Sequence, residues 1–197
     1  MEIEIIYGVE ADSNEVKDCL SKADFLRRNG YRAIFPAGVK LGDEFNDDVV
    51  KKIEQEHKNN TKRYEEKKKE LSDFWANRGK EISKYFKNFR YPAPETVKVF
   101  LTAYGTGGTS FLPNMVWIRL DLSEYEIKSE EALIHEIIHL CIEKPVVQKY
   151  DLNQMEKEKV VDYFFNLPGL KEMFPDYAQA KYGNPSEELL ERIGWNK

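Results

Sequence analysis

The segment ALIHEIIHLCIE, residues 132–143, decides how this chain is expected to fold. If it forms a helix, apolar side chains cover almost every side of it, and such a helix is normally buried. Burial of His135, Glu136 and His139 costs free energy unless each polar side chain finds a partner. A bound metal ion would satisfy all three, so the segment predicts a buried helix that carries a metal site.

The two histidines are spaced to bind one metal ion. His135, Glu136 and His139 form the pattern H-E-x-x-H, and residues four apart lie on the same face of a helix. Neutral imidazole nitrogens are good zinc ligands. Glu136 is rotated off that face, where its carboxylate can reach a water molecule beside the metal and act as a general base. The pattern therefore predicts a site for one catalytic Zn²⁺ ion.

A catalytic zinc ion needs a third protein ligand and one open position. The chain has three histidines and His57 lies far upstream, so we expect the third ligand to be a carboxylate. The next predicted helix offers Glu156, Glu158 and Asp162. Glu158 borders the apolar side of that helix and is the predicted ligand, whereas Glu156 lies on a different side. Asp162, one turn further, is the expected hydrogen-bond partner of His135.

These residues together resemble a known group of enzymes. The order His135-Glu136-x-x-His139 followed by Glu158-x-x-x-Asp162 is similar to that of the gluzincin metallopeptidases, the thermolysin-like clan, and looks most like its minimal single-domain members. The resemblance implies a zinc ion held by His135, His139 and Glu158. It also implies Glu136 as the general base and Asp162 as the residue that orients His135.

The resemblance further implies where a substrate would lie. In this clan, a strand upstream of the active-site helix forms the edge of the sheet and pairs with an extended peptide. The sequence GTSFLPN stands at that place, so Thr109, Ser110, Phe111 and Leu112 are the expected substrate-binding residues. The resemblance covers roughly residues 97–166 and does not account for the N-terminal half of the chain.

The chain departs from the thermolysin-like pattern at two points. Those enzymes have an asparagine before the ligand glutamate, and here the residue is Lys157. They also use a histidine from a C-terminal domain to stabilise the oxyanion, and this chain has no histidine after His139. A tyrosine hydroxyl can donate to an oxyanion instead. The resemblance points to Tyr150 as the donor, because the thermolysin-like enzymes also place a tyrosine near the substrate carbonyl at this spacing from the second histidine, and Tyr177 and Tyr182 are alternatives.

The N-terminal segment, residues 1–41, is expected to form a β-α-β unit. EIEIIY at residues 2–7 alternates between apolar and polar positions and predicts a strand. Asp12 or Ser13 is placed to cap a following helix. YRAIF at residues 31–35 predicts a second strand.

Residues 42–92 form a long charged segment that is expected to be helical. Apolar residues recur at helical spacing near both of its ends, and residues 54–70 contain almost none. This pattern predicts one helix or a helical pair with solvated central turns and packed ends. The alternative is that residues 45–89 form an arm that binds a protein partner. His57 lies in the polar part, and a surface position is expected for it.

Residues 93–197 are expected to contain the metallopeptidase core. Residues 97–104 and 115–122 predict strands, and the GTGGTS sequence between them predicts a flexible connection within a sheet. The predicted fold class is α+β: a small mixed sheet with the active-site helix and the ligand-bearing helix packed on it, as in zincins, plus the long charged helical segment. We expect one compact domain overall.

Composition and charge narrow the possible functions. The chain has 197 residues and a net charge of −5, which gives no support to nucleic acid as a partner. The two cysteines, Cys19 and Cys141, do not suggest a disulfide framework. The N-terminus does not resemble a signal peptide, and no segment has the apolar length of a membrane span. We therefore expect a cytoplasmic protein that acts away from membranes.

Two functional hypotheses follow from the sequence. In the first, the protein is a zinc metallopeptidase that hydrolyses peptide bonds in a peptide or protein substrate with a zinc-activated water and Glu136 as general base. In the second, it is a zinc-stabilised protein-binding module without turnover. An intermediate hypothesis is a latent peptidase whose N-terminal half or C-terminal tail covers the cleft.

Overall fold

A computed structural model of the chain describes residues 1–123, 127–177 and 182–195. It confirms an α+β fold with a small mixed sheet. The elements, in chain order, are β1 (Glu2–Tyr7), α1 (Val9–Ser21), α2 (Ala23–Arg28), α3 (Asp47–Asn88), β2 (Thr96–Thr102), β3 (Gly108–Phe111), β4 (Met115–Arg119), α4 (Ser129–Ile142), a π-helical turn (Glu143–Gln148), α5 (Gln154–Phe165), α6 (Leu170–Met173) and α7 (Glu187–Arg192).

The sheet has four strands in the order β1-β2-β4-β3. The first three of these are parallel, and β3 runs antiparallel to β4 at one edge of the sheet. Ile5, Val99 and Val116 are aligned across the parallel strands and are buried on the same face. Ser110 of β3 is paired with Val116, so Ser110 and its alternate neighbour Gly108 belong to this face as well. Helix α4 packs against this part of the sheet.

The predicted β-α-β unit is only partly correct, because the partner of β1 is β2 rather than a strand at residues 31–35. Residues 31–35 form no strand, and Ile34 makes a single antiparallel bridge with Gly105 in the loop after β2. Three helices intervene between β1 and β2. The prediction of a second strand at residues 31–35 is therefore wrong, apart from the single bridge at Ile34.

The prediction that Asp12 or Ser13 caps the first helix is wrong, since α1 begins at Val9. Asp12 lies inside the helix and its side chain is fully buried. Its carboxylate accepts hydrogen bonds from the Tyr64 hydroxyl at 2.7 and 2.6 Å and from the backbone N–H of Ala103 at 3.0 Å. These distant donors, rather than the start of its own helix, determine the position of this aspartate.

His57 is not the surface histidine that the sequence predicted. Its Nδ1 lies 2.8 Å from Oδ2 of Asp12, and only 14% of its side chain is exposed. The ring also packs on the buried ring of Tyr64, with 4.6 Å between the centroids. His57 therefore joins α3 to α1.

The charged segment forms one 42-residue helix, α3, whose N-terminus is capped by the Asn46 side chain. The prediction of packed ends is correct, because Val49 and Ile53 at one end and Phe86 at the other are buried. The prediction of solvated central turns is wrong in part. Tyr64 lies in the middle of the helix and is fully buried, so α3 packs on the rest of the chain along much of its length.

One large hydrophobic core joins the N-terminal segment, the long helix and the C-terminal half. It contains Ile5 of β1, Ile82 of α3, Val99 of β2, Ile138 of α4 and Val161 of α5. The candidate metal-binding helix α4 lies at its centre, in contact with the sheet, with α3 and with α5. Within the described ranges, no helix combines the length and apolar character needed to cross a membrane.

Candidate metal centre

Helix α4 carries His135, Glu136 and His139 into the core, as the sequence predicts. The side chain of Glu131 accepts a hydrogen bond from the backbone N–H of Lys128 and closes the first turn of the helix. Only 5% of His135, 7% of Glu136 and 4% of His139 is exposed to solvent. These three form a group that could hold a metal ion, with one ligand atom of each lying within 4.8 Å of the others.

The atoms of three side chains converge on one point. Nε2 of His135 lies 3.0 Å from Nε2 of His139. Oε2 of Glu158 lies 3.3 Å from the first nitrogen and 3.5 Å from the second. Ligand atoms at about 2.0 to 2.1 Å from one tetrahedral zinc ion are about 3.3 to 3.4 Å apart, which is close to these separations. The three side chains therefore fit a single ion of this size.

Helix α5 brings Glu158 to the histidines. The helix begins with a reciprocal cap, in which the Asn153 side chain accepts from the N–H of Glu156 and the Glu156 side chain accepts from the N–H of Asn153. Glu158 is 8% exposed, one turn into the helix, and faces α4. Glu156 instead forms an ion pair with Arg192, which agrees with its predicted place on another side of the helix.

The electrostatics of the site favour a cation. Burial alone would raise the pKa of the Glu158 carboxyl, but the charges and hydrogen bonds of His139 and His135 outweigh burial and hold this pKa well below its usual range. Burial tends to lower the pKa of His135, yet Glu158, Glu136 and Asp162 together raise it. Three carboxylates thus create a negative field around two imidazoles, which stabilises a positive charge placed between them.

The hydrogen bond of His135 differs in one respect from the predicted one. Nδ1 of His135 is 3.6 Å from Oδ1 of Asp162, which is too far for a good hydrogen bond. The Tyr177 hydroxyl lies between them, 2.8 Å from Nδ1, and donates to Oδ1 of Asp162 at 2.8 Å. Because the hydroxyl hydrogen goes to Asp162, Nδ1–H donates to the hydroxyl oxygen. Nε2 of His135 is left with a lone pair that points at the candidate metal position.

His139 is held less firmly than His135. Its Nδ1 is buried, and no hydrogen-bond partner for it is present in the described part of the chain. The orientation of the His139 ring therefore depends on packing within α4 and on the groups around its Nε2. This asymmetry between the two histidines was not visible in the sequence, where they occupy equivalent positions of the motif.

Glu136 lies directly against the edge strand. A Cβ atom on Gly108, the first residue of β3, would be 2.6 Å from Oε1 of Glu136. The carboxylate can occupy this place only because residue 108 has no side chain. The glycines of the GTGGTS sequence therefore serve close packing, and the second half of this predicted flexible connection is in fact β3.

A further buried carboxylate, Glu15 of α1, packs against the same glycine-rich loop. A Cβ atom on Gly105 would collide with its side chain, and Oε2 of Glu15 has no hydrogen-bond partner among the described residues. Burial, followed by the charges of Asp18 and Glu136, raises the pKa of Glu15 to about 8. The loop thus passes between two carboxylates, Glu15 on one side and Glu136 on the other.

The residues predicted to bind substrate lie in or next to an edge strand, and their binding role stays a prediction. Thr109, Ser110 and Phe111 are in the edge strand β3, and Leu112 follows directly. Nζ of Lys22, between α1 and α2, lies 4.9 Å from the centre of the Phe111 ring. The N-terminal helices therefore run beside the edge strand, close to the place expected for a substrate.

The predicted oxyanion donor, Tyr150, is not among the groups that contact the histidines. Its hydroxyl lies beside Gly194 and its ring under Nζ of Lys149, and none of its contacts in the described ranges involves His135 or His139. Of the two alternatives, Tyr177 already uses its hydroxyl in a hydrogen bond with His135. A role for Tyr150 in a reaction stays a prediction.

Two residues at the site were missed from the sequence, Gln154 and Tyr31. Nε2 of Gln154 donates to Oε1 of Glu158 at 2.6 Å and to the Tyr31 hydroxyl at 2.9 Å. Gln154 precedes Glu158 by four positions on the same helix, a spacing that could have identified it. Tyr31 is separated from Gln154 by 123 positions and carries no local signal.

Comparisons of this chain with family models, curated proteins and solved structures gave no match. What can be said of its function therefore comes from the site itself. A buried group of His135, Glu136 and His139, with Oε2 of Glu158 at hydrogen-bonding range of both imidazoles, could hold a metal ion.

Proposed function

We propose that this protein is a zinc-dependent metallopeptidase of the gluzincin type. The observation that carries the proposal is the convergence of His135 Nε2, His139 Nε2 and Glu158 Oε2 within 3.0 to 3.5 Å of one another. The support from Glu136 is independent, because this carboxylate lies next to that point and also against the edge strand of the sheet.

His135, His139 and Glu158 would hold the metal. Two imidazoles and one carboxylate are a donor set that suits zinc and leaves a coordination position for the reaction. When bound, a zinc ion would polarise the carbonyl of the substrate and lower the pKa of a water molecule. Tyr177 and Asp162 keep His135 in the tautomer that such binding needs.

The remaining chemistry belongs to Glu136 and β3. The Glu136 carboxylate takes a proton from the attacking water and passes it to the nitrogen of the leaving amine, so that the proton is returned within one turnover. In the described sheet β3 is an edge strand, and its residues Thr109 to Phe111, with Leu112 directly after them, would offer backbone groups to an extended peptide and bring the scissile bond close to Glu136.

The burial of the site favours two alternatives, a latent peptidase and a metal-stabilised binding module. The candidate ligands are only 4 to 8% exposed, and Tyr31 and Lys22 of the N-terminal segment lie at Gln154 and at Phe111, respectively. In a latent peptidase, this segment would have to move before a substrate reaches Glu136. In a binding module, the segment does not move and α3 acts by binding a protein partner.

The experiment is to measure zinc content by plasma mass spectrometry and cleavage of an unfolded protein substrate, for the wild type, Glu136→Gln and Glu158→Ala. We expect about one zinc per wild-type chain, retention of zinc with a loss of activity of about 10²-fold or more in Glu136→Gln, and loss of zinc in Glu158→Ala. Glu130→Gln, at the start of the same helix, is the matched control and should behave as the wild type.

Two outcomes would count against the proposal in different ways. A folded wild type that takes up no zinc would mean that the histidines are buried for a structural reason. A wild type that binds zinc and cleaves no substrate would favour the binding module.

A further inference from the structure

We propose that Gln154 is a positioning residue for the metal centre: it holds Glu158 in place as a ligand and links Tyr31 of the N-terminal segment to it. This inference rests on the metal centre proposed above. It concerns how the chain builds the centre, and it holds or fails separately from any peptidase activity.

The two oxygens of Glu158 have different surroundings. Oε2 is 3.3 and 3.5 Å from the two imidazole nitrogens, and Oε1 accepts a hydrogen bond from Nε2 of Gln154 at 2.6 Å. A carboxylate that binds a metal through one oxygen keeps the other available for a hydrogen bond, and that bond fixes the rotation of the group. Gln154 therefore fixes the rotation of the Glu158 carboxylate, so that one oxygen faces the histidines.

The orientation of the Gln154 amide is itself determined. An ionised carboxylate only accepts hydrogen bonds, so the NH₂ group of Gln154, rather than its carbonyl oxygen, must face Glu158. That group has two hydrogens. One serves Oε1 of Glu158, and the other serves the Tyr31 hydroxyl at 2.9 Å, which must accept it. Both hydrogens of this nitrogen are used, and the amide has one satisfactory position.

Gln154 is well placed for this role because its backbone is fixed. It is the first residue of α5, directly after the Asn153 cap, and Glu158 is one turn further on the same face. Helix α5 in turn packs on α4, which carries the histidines. Gln154 is thus connected to the metal position through the helical backbone and two side chains, its own and that of Glu158.

Tyr31 extends this link to the N-terminal segment. Its ring stacks on Phe25 of α2, with 6.1 Å between centroids, and three residues later Ile34 pairs with Gly105 beside the edge strand. Burial, followed by the charge of Glu158, raises the pKa of Tyr31, so its hydroxyl keeps its hydrogen and accepts from Gln154 without a charge conflict. The side-chain amide of Gln154 donates to both Glu158 and Tyr31. Metal binding at Glu158 and packing of the N-terminal segment at Tyr31 should therefore stabilise each other.

The test is the equilibrium affinity of the full-length, metal-free chain for Zn²⁺, measured by competition with a chromogenic chelator. Gln154→Met keeps the length of the side chain and a helix-forming residue but removes the donors. We expect Gln154→Met and Gln154→Ala to weaken Zn²⁺ binding about 10- to 100-fold. Met155→Ala, at a neighbouring residue that is 51% exposed, is the matched control and should bind as the wild type.

A second readout separates positioning from a general effect on folding. The melting temperature of the metal-free chain should be the same for Gln154→Met and Met155→Ala, while only the first loses Zn²⁺ affinity. For Tyr31, hydrogen exchange at residues 29–34 should slow on addition of Zn²⁺ to the wild type, and this effect should be lost in Tyr31→Phe and in Gln154→Met.

The outcomes that overturn the inference are specific. Wild-type Zn²⁺ affinity in Gln154→Met, or an affinity loss no larger than that of Met155→Ala, would remove the positioning role. If the rate of hydrogen exchange at residues 29–34 of the wild type does not change on addition of Zn²⁺, the proposed link to Tyr31 is wrong. A wild type that binds Zn²⁺ in the expected way but cleaves no peptide would end the peptidase proposal and leave this one standing.

Discussion

Gly108 and Glu136 are in direct contact, because the absence of a side chain at residue 108 is what allows the Glu136 carboxylate to lie against the edge strand. A Cβ atom on Gly108 would be 2.6 Å from Oε1 and 3.0 Å from Cγ of Glu136. The backbone of residue 108 is in a strand, so an alanine there would be free of backbone strain. A substitution would therefore act on the carboxylate and leave the fold intact.

Gly108→Ala should displace Glu136 from the edge strand without removing a metal ligand. For the proposed peptidase, we expect turnover to fall by about 10²-fold, since a general base must lie within hydrogen-bonding reach of its proton. Zinc content should stay at the wild-type level, as measured by plasma mass spectrometry. Gly8→Ala is the control, because a Cβ there meets no atom within 4 Å. Equal turnover in both variants would show that the activity does not depend on the contact of Glu136 with residue 108.

Tyr177→Phe should weaken metal binding through His135. The substitution removes the hydroxyl that accepts from Nδ1–H and donates to Asp162, and it keeps the ring that stacks on Phe165 at 3.6 Å between centroids. We expect Zn²⁺ affinity to fall about 10- to 100-fold in a chelator competition assay. Tyr163→Phe, on the same helix as Asp162, should leave the affinity unchanged. An unaltered affinity in Tyr177→Phe would mean that packing alone orients His135.

The parts of this site that the sequence could predict are those set by local helical geometry. His135, Glu136 and His139 share one helix, and the periodicity of the next helix identified Glu158. Tyr177 and Tyr31 reach the site from distant parts of the chain, and their positions depend on how the segments that carry them pack against α5. No local pattern contains that information.

The difference between local and nonlocal contacts also explains why two predictions for the N-terminal half were wrong. Asp12 has the local features of a helix cap, but Tyr64 and the N–H of Ala103 are stronger partners once α1 packs on α3 and β2. The composition of residues 31–35 predicts a strand, yet β1 pairs with β2, which lies far along the chain. Strand pairing is a nonlocal property, so the residues of one segment do not show which strand is its partner.

Asp12→Ala should destabilise the fold strongly. It would leave the Tyr64 hydroxyl hydrogen without its acceptor, remove the partner of His57 Nδ1, and leave the Ala103 N–H with the Tyr64 oxygen alone. Each buried unsatisfied group costs about 1 to 3 kcal/mol. We expect the free energy of unfolding in urea to fall by about 2 to 5 kcal/mol. Asp24→Ala is the control, since its side chain is 78% exposed and pairs only with Arg27 at the surface. If the free energy of unfolding falls as little as in the control, the groups around Asp12 must rearrange or be hydrated by water in the variant.

The last prediction concerns pH and Glu15, whose pKa is raised from 4.5 to about 8, first by burial and then by Asp18 and Glu136. Between these two pH values the folded chain holds a proton that the unfolded chain has released. The contribution of Glu15 to stability is therefore greatest below pH 4.5, decreases as the pH rises, and levels off above about pH 8. Glutamine cannot ionise, so Glu15→Gln should be increasingly more stable than the wild type as the pH rises through this window.

Urea unfolding of the metal-free chain at pH 5 to 9 gives the difference between Glu15→Gln and the wild type directly. The difference should grow by a few kcal/mol across this range, since each unit of pKa shift corresponds to about 1.4 kcal/mol. Glu10→Gln, at an exposed position in the first turn of the same helix, should show no such trend. A difference that stays constant with pH would mean that Glu15 is ionised in the folded chain, with a partner for Oε2 other than the described residues.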